Sequence, residues 1–487
     1  MIPERKIRYW EFFEGVLYFK TPVHIASAEI TLETDSALLK TADGRFYIPG
    51  TSSAGALRAR ANDLFEEPEL INLIFGYQDK QETGLKSRLF VEDAYAEFPE
   101  DAYAEFPVTF LRDGVAVDRK LGASRHKAKY DLEITQADLE LPLVIKLEIR
   151  EEDNAEKMRA LILHLMENFK IGRIKLGAGK SRGLGACKFE YRWRSLDFSD
   201  PRQISSYLCS RDIKAIPEKE VSVSDLNADL VLKDFKELVC AIEMEVEDSP
   251  FLIKNRWSGD DYDAVFTAAM TRNGALDYIP GSSIKGVIRA RAEKILRTLG
   301  ADACDILDIE VGCSSRVKRC LEKLEEENGE KPSEEELARI IHKHSCPICR
   351  LFGNACLAGR IQFDDTFFYA EPDKKKLDHV AIDRFTGGAL EGKLFNEQPV
   401  ICGTLRLSFV IRNPSAFDRC LLAFLLRDLR DGLPPIRFGY GKSKGNGVLK
   451  FVGATINDQE IKDISAIKNA LGVTSADNWW KGEDAHE

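Results

Sequence analysis

The 487-residue chain has no apolar run approaching the roughly 18 to 20 residues that cross a bilayer. Its first residues, MIPERKIRYWEFFEG, lack the apolar centre of a signal peptide. A soluble cytoplasmic protein with no membrane partner is therefore expected. There is also no excess of positive charge: 69 Lys and Arg face 80 Asp and Glu, a net charge of -11. This argues against a protein that coats nucleic acid with its whole surface, although a basic groove on an acidic body is allowed. Acidic runs such as Glu322 to Leu337 read as solvated helical faces. A third absence bears on LGAGKSRGLG, Leu176 to Gly185. Its Gly-Lys-Ser triplet suggests a nucleotide loop, but such a loop needs a glycine five residues before the one preceding Lys-Ser. Ile174 stands there, and Ile436 stands at the corresponding place in the later FGYGKSKGNG. That argues against a P-loop ATPase.

What is present is a repeat. FYIPGTSSAGALRARAN (Phe46 to Asn62) returns as DYIPGSSIKGVIRARAE (Asp277 to Glu293), VAVDRKLGAS (Val115 to Ser124) as VAIDRFTGGA (Val380 to Ala389), and LGAGKSRGLG as FGYGKSKGNG (Phe438 to Gly447). Three blocks in one order mean two homologous domains in tandem. From Tyr47 to Asp118 is 71 positions and from Tyr278 to Asp383 is 105, so the second repeat carries about 34 more residues between its first two blocks. Six of the 11 cysteines crowd into that interval, Cys304 to Cys356, which points to free thiols or a metal rather than a disulfide scaffold. A short duplication, EDAYAEFP at Glu92 and again at Glu100, reads as a lengthened surface loop.

Each repeat opens on an alternating strand, Gly15 to Ala26 and Cys240 to Ile253. A Pro-Gly-Thr or Pro-Gly-Ser turn follows, whose hydroxyls can cap a basic helix. After it come a strand, a glycine-rich excursion, a second strand (Leu141 to Arg150 in the first repeat), a helix (Ala155 to Phe169) and a last strand after the glycine-rich loop. Strand, helix, strand, strand, helix, strand predicts an α+β fold of two ferredoxin-like domains, an order shared with RNA-recognition motifs. The expected layout is a first domain over 1–195, a linker over 196–235, a second domain over 236–455 with a Cys-rich insertion at about 300–356, and a tail over 456–487.

With TPVHIA, TDSALL and the blocks above in the first repeat, and YDAVF, CPICRLFG, RIQFDD and HVAIDRFTGGALEGKLF added in the second, the chain resembles the RAMP superfamily, specifically the backbone subunits of type III CRISPR effector complexes. The resemblance covers nearly everything but connector and tail, and the tandem form is similar to fused double-backbone subunits. It implies an antiviral ribonucleoprotein subunit that binds guide RNA, pairs it with single-stranded target RNA beside other subunits, and cuts the target at two sites. The loops before each Ile-Pro-Gly turn hold acids, Asp35 in one and Asp260, Asp261 and Asp263 in the other; on residue type alone these are solvated or turn-forming. The family's cutting acid lies in this loop, and Asp35 and Asp263 are the matching positions. A lone carboxylate suits an endoribonuclease assisted by a divalent ion, Mg2+ or Mn2+, because no histidine lies near Asp263 in sequence.

The same resemblance implies guide-phosphate contacts at Ser52, Ser53 and Arg58 and at Ser282, Ser283, Lys285 and Arg289, where hydroxyls, arginines and helix amides converge. Ala54 stands where the second repeat has Lys285. The family's thumb hairpin, which is inserted into the heteroduplex, matches Asp118 to Tyr130 and Asp383 to Phe395. There Arg119, Arg125, Lys127 and Arg384 are expected on RNA, with Tyr130 and Phe395 stacking beside a base. Lys180, Arg182, Lys442 and Lys444 of the glycine-rich loops are expected on guide phosphates. Two rival readings stay open: a structural subunit with inert acids, and a nuclease that processes guide precursors.

Cys346-x-x-Cys349 is half a zinc site and needs two more ligands. If the flanking segments form a helical hairpin turning near Gly329, Cys313 faces the Cys346 end. The expected structural Zn2+ ligands are then Cys313, one of His342 or His344, Cys346 and Cys349. Reduced buried cysteines are the alternative.

Overall fold

The computed structural model describes residues 6–27, 34–78, 84–96, 109–119, 121–220, 229–255, 262–308, 310–328, 332–461 and 463–473. In the first repeat, strand Leu139–Arg150 alternates apolar and polar residues, so Leu139, Leu141, Leu143, Ile145, Leu147 and Ile149 all point into one core. It lies beside Ile7–Phe19, which pairs on its other edge with Cys187–Asp197, while Leu89–Val91 closes the far side; every pairing is antiparallel. Helices α1 (Gly50–Leu64) and α3 (Ala155–Lys170) add Leu57, Ala61, Leu161 and Leu165 to that core. Asn154 starts α3 by accepting a hydrogen bond from the Lys157 amide.

The second repeat has the same order. Lys450–Ile456, Glu237–Val246, Val400–Arg412 and Ile361–Asp364 form its antiparallel sheet. Helices α5 (Gly281–Thr298) and α9 (Ala416–Asp431) cover it, the latter begun by a capping box of Ser415 and Asp418. This sheet does not stop at Ile361–Asp364. Arg182 and Gly183, from the glycine-rich loop of the first repeat, pair in parallel with Phe363 and Asp364 and extend it across the boundary between repeats.

Three sequence expectations change. The connector contains α4 (Pro201–Ser210), started by Asp200 with Pro201 in the first turn, and the surrounding chain builds a small core of Phe12, Leu196 and Ile216 with Tyr207 packed against it. Its apolar residues are spread across a short helix and a loop, so no long period showed. The tail is also partly structural: Ile461, Ile467 and Leu471 belong to the second core. Finally, no hydroxyl caps α1 or α5. A carboxylate from the following strand segment does so in each repeat, Asp93 accepting from the Gly50 amide and Asp365 from the Gly281 amide, both at 2.7 Å. The duplicated EDAYAEFP lies largely outside the described residues, but its first copy supplies Asp93 and Tyr95, which stacks on Tyr47.

Candidate nucleic-acid interface and metal centre

Outside the sheets each repeat raises a hairpin, Thr109–Val117 with Ser124–Thr135 and Leu377–Ile382 with Ala389–Gln398. The loop bearing the predicted acid runs parallel to the returning strand. Ser36 bridges Leu132 in the first repeat, and Ala264–Val265 pairs with Glu397 and Gln398 in the second. That register places Asp35 and Asp263 just before the bridge. The Asp35 carboxylate accepts from the Asp131 amide at 2.9 Å, and the Asp263 carboxylate accepts from the Asn396 amide at 2.8 Å. Asp131 and Asn396 each follow the predicted stacking aromatic, Tyr130 and Phe395. Both acids are exposed, so each is fixed by one charge-assisted bond yet open to solvent.

The two loops are braced differently. In the first, buried His24 lies 2.6 Å from the Glu133 carbonyl through Nδ1 and 3.0 Å from Ser36 Oγ through Nε2. The carbonyl can only accept, so Nδ1 carries the proton and Ser36 donates to Nε2. Burial lowers the His24 pKa and favours this neutral form. In the second, the Asp263 amide donates back to Asn396 Oδ1 at 2.9 Å. Asp260 and Asp261 lie outside the described residues.

Cations converge on the same two aromatics. Arg182 donates to the Tyr130 hydroxyl at 2.8 Å, and Lys444 sits 4.8 Å from the Phe395 ring centroid while pairing with Glu397 at 3.2 Å. Lys180, Arg182, Lys442, Lys444, Lys127, Arg125 and Arg384 are all exposed. Acid, aromatic and cation thus recur together on each hairpin.

Other expected phosphate contacts have different roles. Arg289 is buried; it donates to Glu293 at 2.8 Å, to the Gly353 carbonyl at 2.7 Å and to Cys349 Sγ at 3.2 Å. This corrects its assignment to the RNA surface, because its three donor nitrogens are all engaged inside the protein. Arg58 serves its own repeat likewise, bonding Asn72 of α2 (Pro68–Phe75) and the Gly76 carbonyl at 2.8 and 2.9 Å. Ser53 is buried, whereas Ser52, Ser282 and Ser283 are half-buried at the helix starts. Arg119 turns to Glu293 of the second repeat, at 3.1 Å.

Lys285 bonds Ser181 Oγ at 2.9 Å. Burial, with Arg289 and Arg182 nearby, pulls its pKa down to about 8. Folding therefore disfavours the charged lysine, a penalty complete below pH 8 that fades as pH rises from there toward the unfolded-chain value near 10.5. Lys285→Met is expected to be more stable than the unsubstituted chain by up to ~3 kcal/mol at pH 7, with the gap narrowing toward pH 10, read from urea midpoints.

At the base of α5 the insertion folds as α6 (Cys313–Asn328) and α7 (Glu334–Lys343), followed by α8 (Pro347–Phe352). Cys304, Cys313, Cys346 and Cys349 are buried with their sulfurs all within 4.8 Å of one another. A zinc tetrahedron with bonds of about 2.3 Å needs sulfurs about 3.8 Å apart, so these four can hold a structural metal such as zinc. Hydrogen bonds from Cys304 draw the Cys313 and Cys346 thiols below the ordinary thiol value. The fourth member of the cluster is Cys304, not a histidine: His342 is exposed and His344 only half-buried on the outer end of α7, while the loop after α5 folds back to place Cys304 Sγ 3.5 Å from that of Cys349. Its membership of the six-cysteine cluster was the available signal. Purified protein is expected to carry one zinc per chain, lost in Cys304→Ser and kept when both His342 and His344 are alanine, as metal analysis by mass spectrometry would show.

The repeat seen in sequence and in sheet order is matched by the family comparison: the model described as the RAMP superfamily matches residues 16–188 and 263–450. The chain belongs to the RAMP superfamily. Both matched segments of this RAMP protein contain one acid, one hairpin aromatic and one glycine-rich loop in the arrangement above. The chain is also 27% identical over 196 residues to the CRISPR system Cms endoribonuclease Csm3 of Methanocaldococcus jannaschii, a match spanning 36% of this chain and 77% of that protein. Among its described residues no helix is long and apolar enough to cross a membrane.

Proposed function

We propose that this RAMP protein is a guide-RNA-binding backbone subunit of a type III CRISPR effector, built from two ferredoxin-like domains with thumb hairpins, that cuts paired target RNA at two sites. The observation that carries the reading is the twofold recurrence of a solvent-open carboxylate pinned to the residue after a hairpin aromatic, with a glycine-loop cation at that aromatic. The similarity to a protein named as a CRISPR endoribonuclease supports the chemistry.

Strand scission by this arrangement needs the ribose 2′-hydroxyl in line with the scissile phosphate. A hairpin aromatic wedged beside a base would unstack that nucleotide, and the pinned acid would then face its ribose. Among the described residues neither acid belongs to a group of three candidate metal ligands. A divalent ion, where used, would take one oxygen from Asp35 or Asp263 and the rest from RNA and water, and would supply positive charge to the phosphorane.

Further subunits are supported by comparing the matching glycines of the two loops. A Cβ on Gly183 would sit 1.8 Å from Asp365 Oδ1, because the first loop is seated on the second repeat, whereas a Cβ on Gly445 meets nothing within 4 Å. The second hairpin is equally open, with Phe385 99% exposed. A neighbouring subunit would cover both.

Guide binding is expected to fall steeply with salt despite the net negative charge, since exposed loop and hairpin cations meet phosphates. Replacing Lys180, Arg182, Lys442 and Lys444 together by alanine should weaken guide affinity at least tenfold and flatten the salt slope, measured by filter binding. Unchanged affinity and slope would refute the RNA-binding assignment of these loops.

A further inference from the structure

We propose that the cysteine centre of the second repeat positions the hairpin of the first. The inference rests on the reading of the four cysteines as a metal site and adds a task to it: the metal-organised loop is the platform on which a hairpin from the other half of the chain is anchored.

Among the described residues two contacts tie the tip of the first hairpin to the second repeat: one ends on the loop between two of the cysteines, the other on a helix residue joined to a third cysteine through an arginine. Arg125 donates to the carbonyl of Leu307. Leu307 lies between Cys304 and Cys313, in a loop whose two ends are candidate ligands. Arg119 donates to Glu293, whose side chain is 1% exposed. Glu293 also accepts from Arg289 at 2.8 Å, and Arg289 donates through its other end to Cys349 Sγ at 3.2 Å. A continuous path of bonds through charged side chains thus joins one cysteine of the centre to the hairpin: Cys349, Arg289, Glu293, Arg119.

The first repeat shows what that path adds. Arg58 occupies the position of Arg289 and makes the same bond to a glycine carbonyl, at Gly76 instead of Gly353. Its other partner is Asn72, at the position of Cys349. Where the second repeat has Glu293, the first has Asn62. A neutral residue there gives no counter-charge to an incoming arginine. The second repeat alone therefore combines a sulfur on the inner side of the arginine with a buried carboxylate on the outer side. A buried carboxylate shared by arginines from two repeats loses much of its stabilisation when any one of them moves. Loss of the metal would free the Cys304 to Cys313 loop and remove the ligated sulfur behind Arg289, so both anchors would loosen together.

Hydrogen exchange on the full chain tests this. Chelation of the metal, or Cys304→Ser, is expected to speed exchange of amides around Arg119 to Lys129 at least tenfold and leave the second hairpin, Leu377 to Gln398, unchanged. Glu293→Gln should produce the same acceleration with the zinc retained. If chelation also opens strand Val400–Arg412, the second repeat has unfolded and Glu293→Gln decides alone. Unchanged exchange in the first hairpin of Glu293→Gln would overturn the anchorage, and zinc-free native protein would overturn the metal's part in it. On the two-cut reading, the Asp35-dependent cut slows in Glu293→Gln and the Asp263-dependent cut does not; equal slowing counts against the proposal. Should neither acid prove to cut RNA, that reading fails while the exchange result still stands.

Discussion

Asp365→Ala is expected to lower stability by ~3–5 kcal/mol, measured from the shift in denaturant midpoint. Asp365 is 3% exposed and accepts a two-pronged bond from Arg112 of the first hairpin, both contacts at 2.8 Å. Its Oδ1 also covers the free amide at the start of α5. Alanine would leave a guanidinium buried without its counter-ion and a helix start without its cap, two separate losses. Arg112→Met should cost less, because Asp365 keeps the Gly281 amide and the methionine fills most of the space. The double substitution should be milder than the sum of the singles, since the first change already removes the pair. An Asp365→Ala midpoint within error of the unsubstituted chain would show that the seam between repeats is not held by this pair.

Asp35→Asn and Asp263→Asn are each expected to remove one distinct product from a target-RNA ladder, slowing that cut at least ~100-fold, with the other cut unaffected. Asparagine is chosen because its side-chain oxygen can still accept from the Asp131 or Asn396 amide. The hairpin then keeps its place while the charge is lost. The double substitution should bind guide and target normally and cut neither position. An unchanged ladder in both singles would make this a structural subunit. Cleavage of precursor repeats by the isolated protein would favour guide processing.

Much of this was legible in the sequence, for identifiable reasons. The tandem order follows from three blocks that recur in sequence, and the strand at Leu141 to Arg150 and the helix at Ala155 follow from periodicity, because each of those elements buries one face against a single core. Asp35 and Asp263 were located by matching blocks, and the structure shows them in equivalent hydrogen-bonded settings. What sequence reading missed lies mostly between the repeats. Arg112 and Asp365 are 253 positions apart, and nothing local marks an arginine as the partner of a distant carboxylate. Arg289 and Arg119 were expected on RNA by their place in the matching blocks; that Arg289 is enclosed by Gly353 and Cys349 of its own repeat, and that Arg119 reaches Glu293 across the joint, are tertiary facts that nothing local marks. Cys304 was passed over for histidines nearer in sequence, since spacing along the chain cannot show that the loop after α5 turns back.

The joint between the halves has one more consequence. Arg112 is answered at the same position of the second repeat by Leu377, so the two copies no longer offer the same groups to a domain docked against them. In a stack of identical chains every junction must be built from one pair of surfaces, and a change that improves one junction is imposed on all. Covalent tethering removes that restriction and keeps the internal junction at a high effective concentration whatever the protein's abundance. The inner junction is free to specialise as a permanent hinge-free joint, while the two outer faces remain available to be tuned separately for different neighbours.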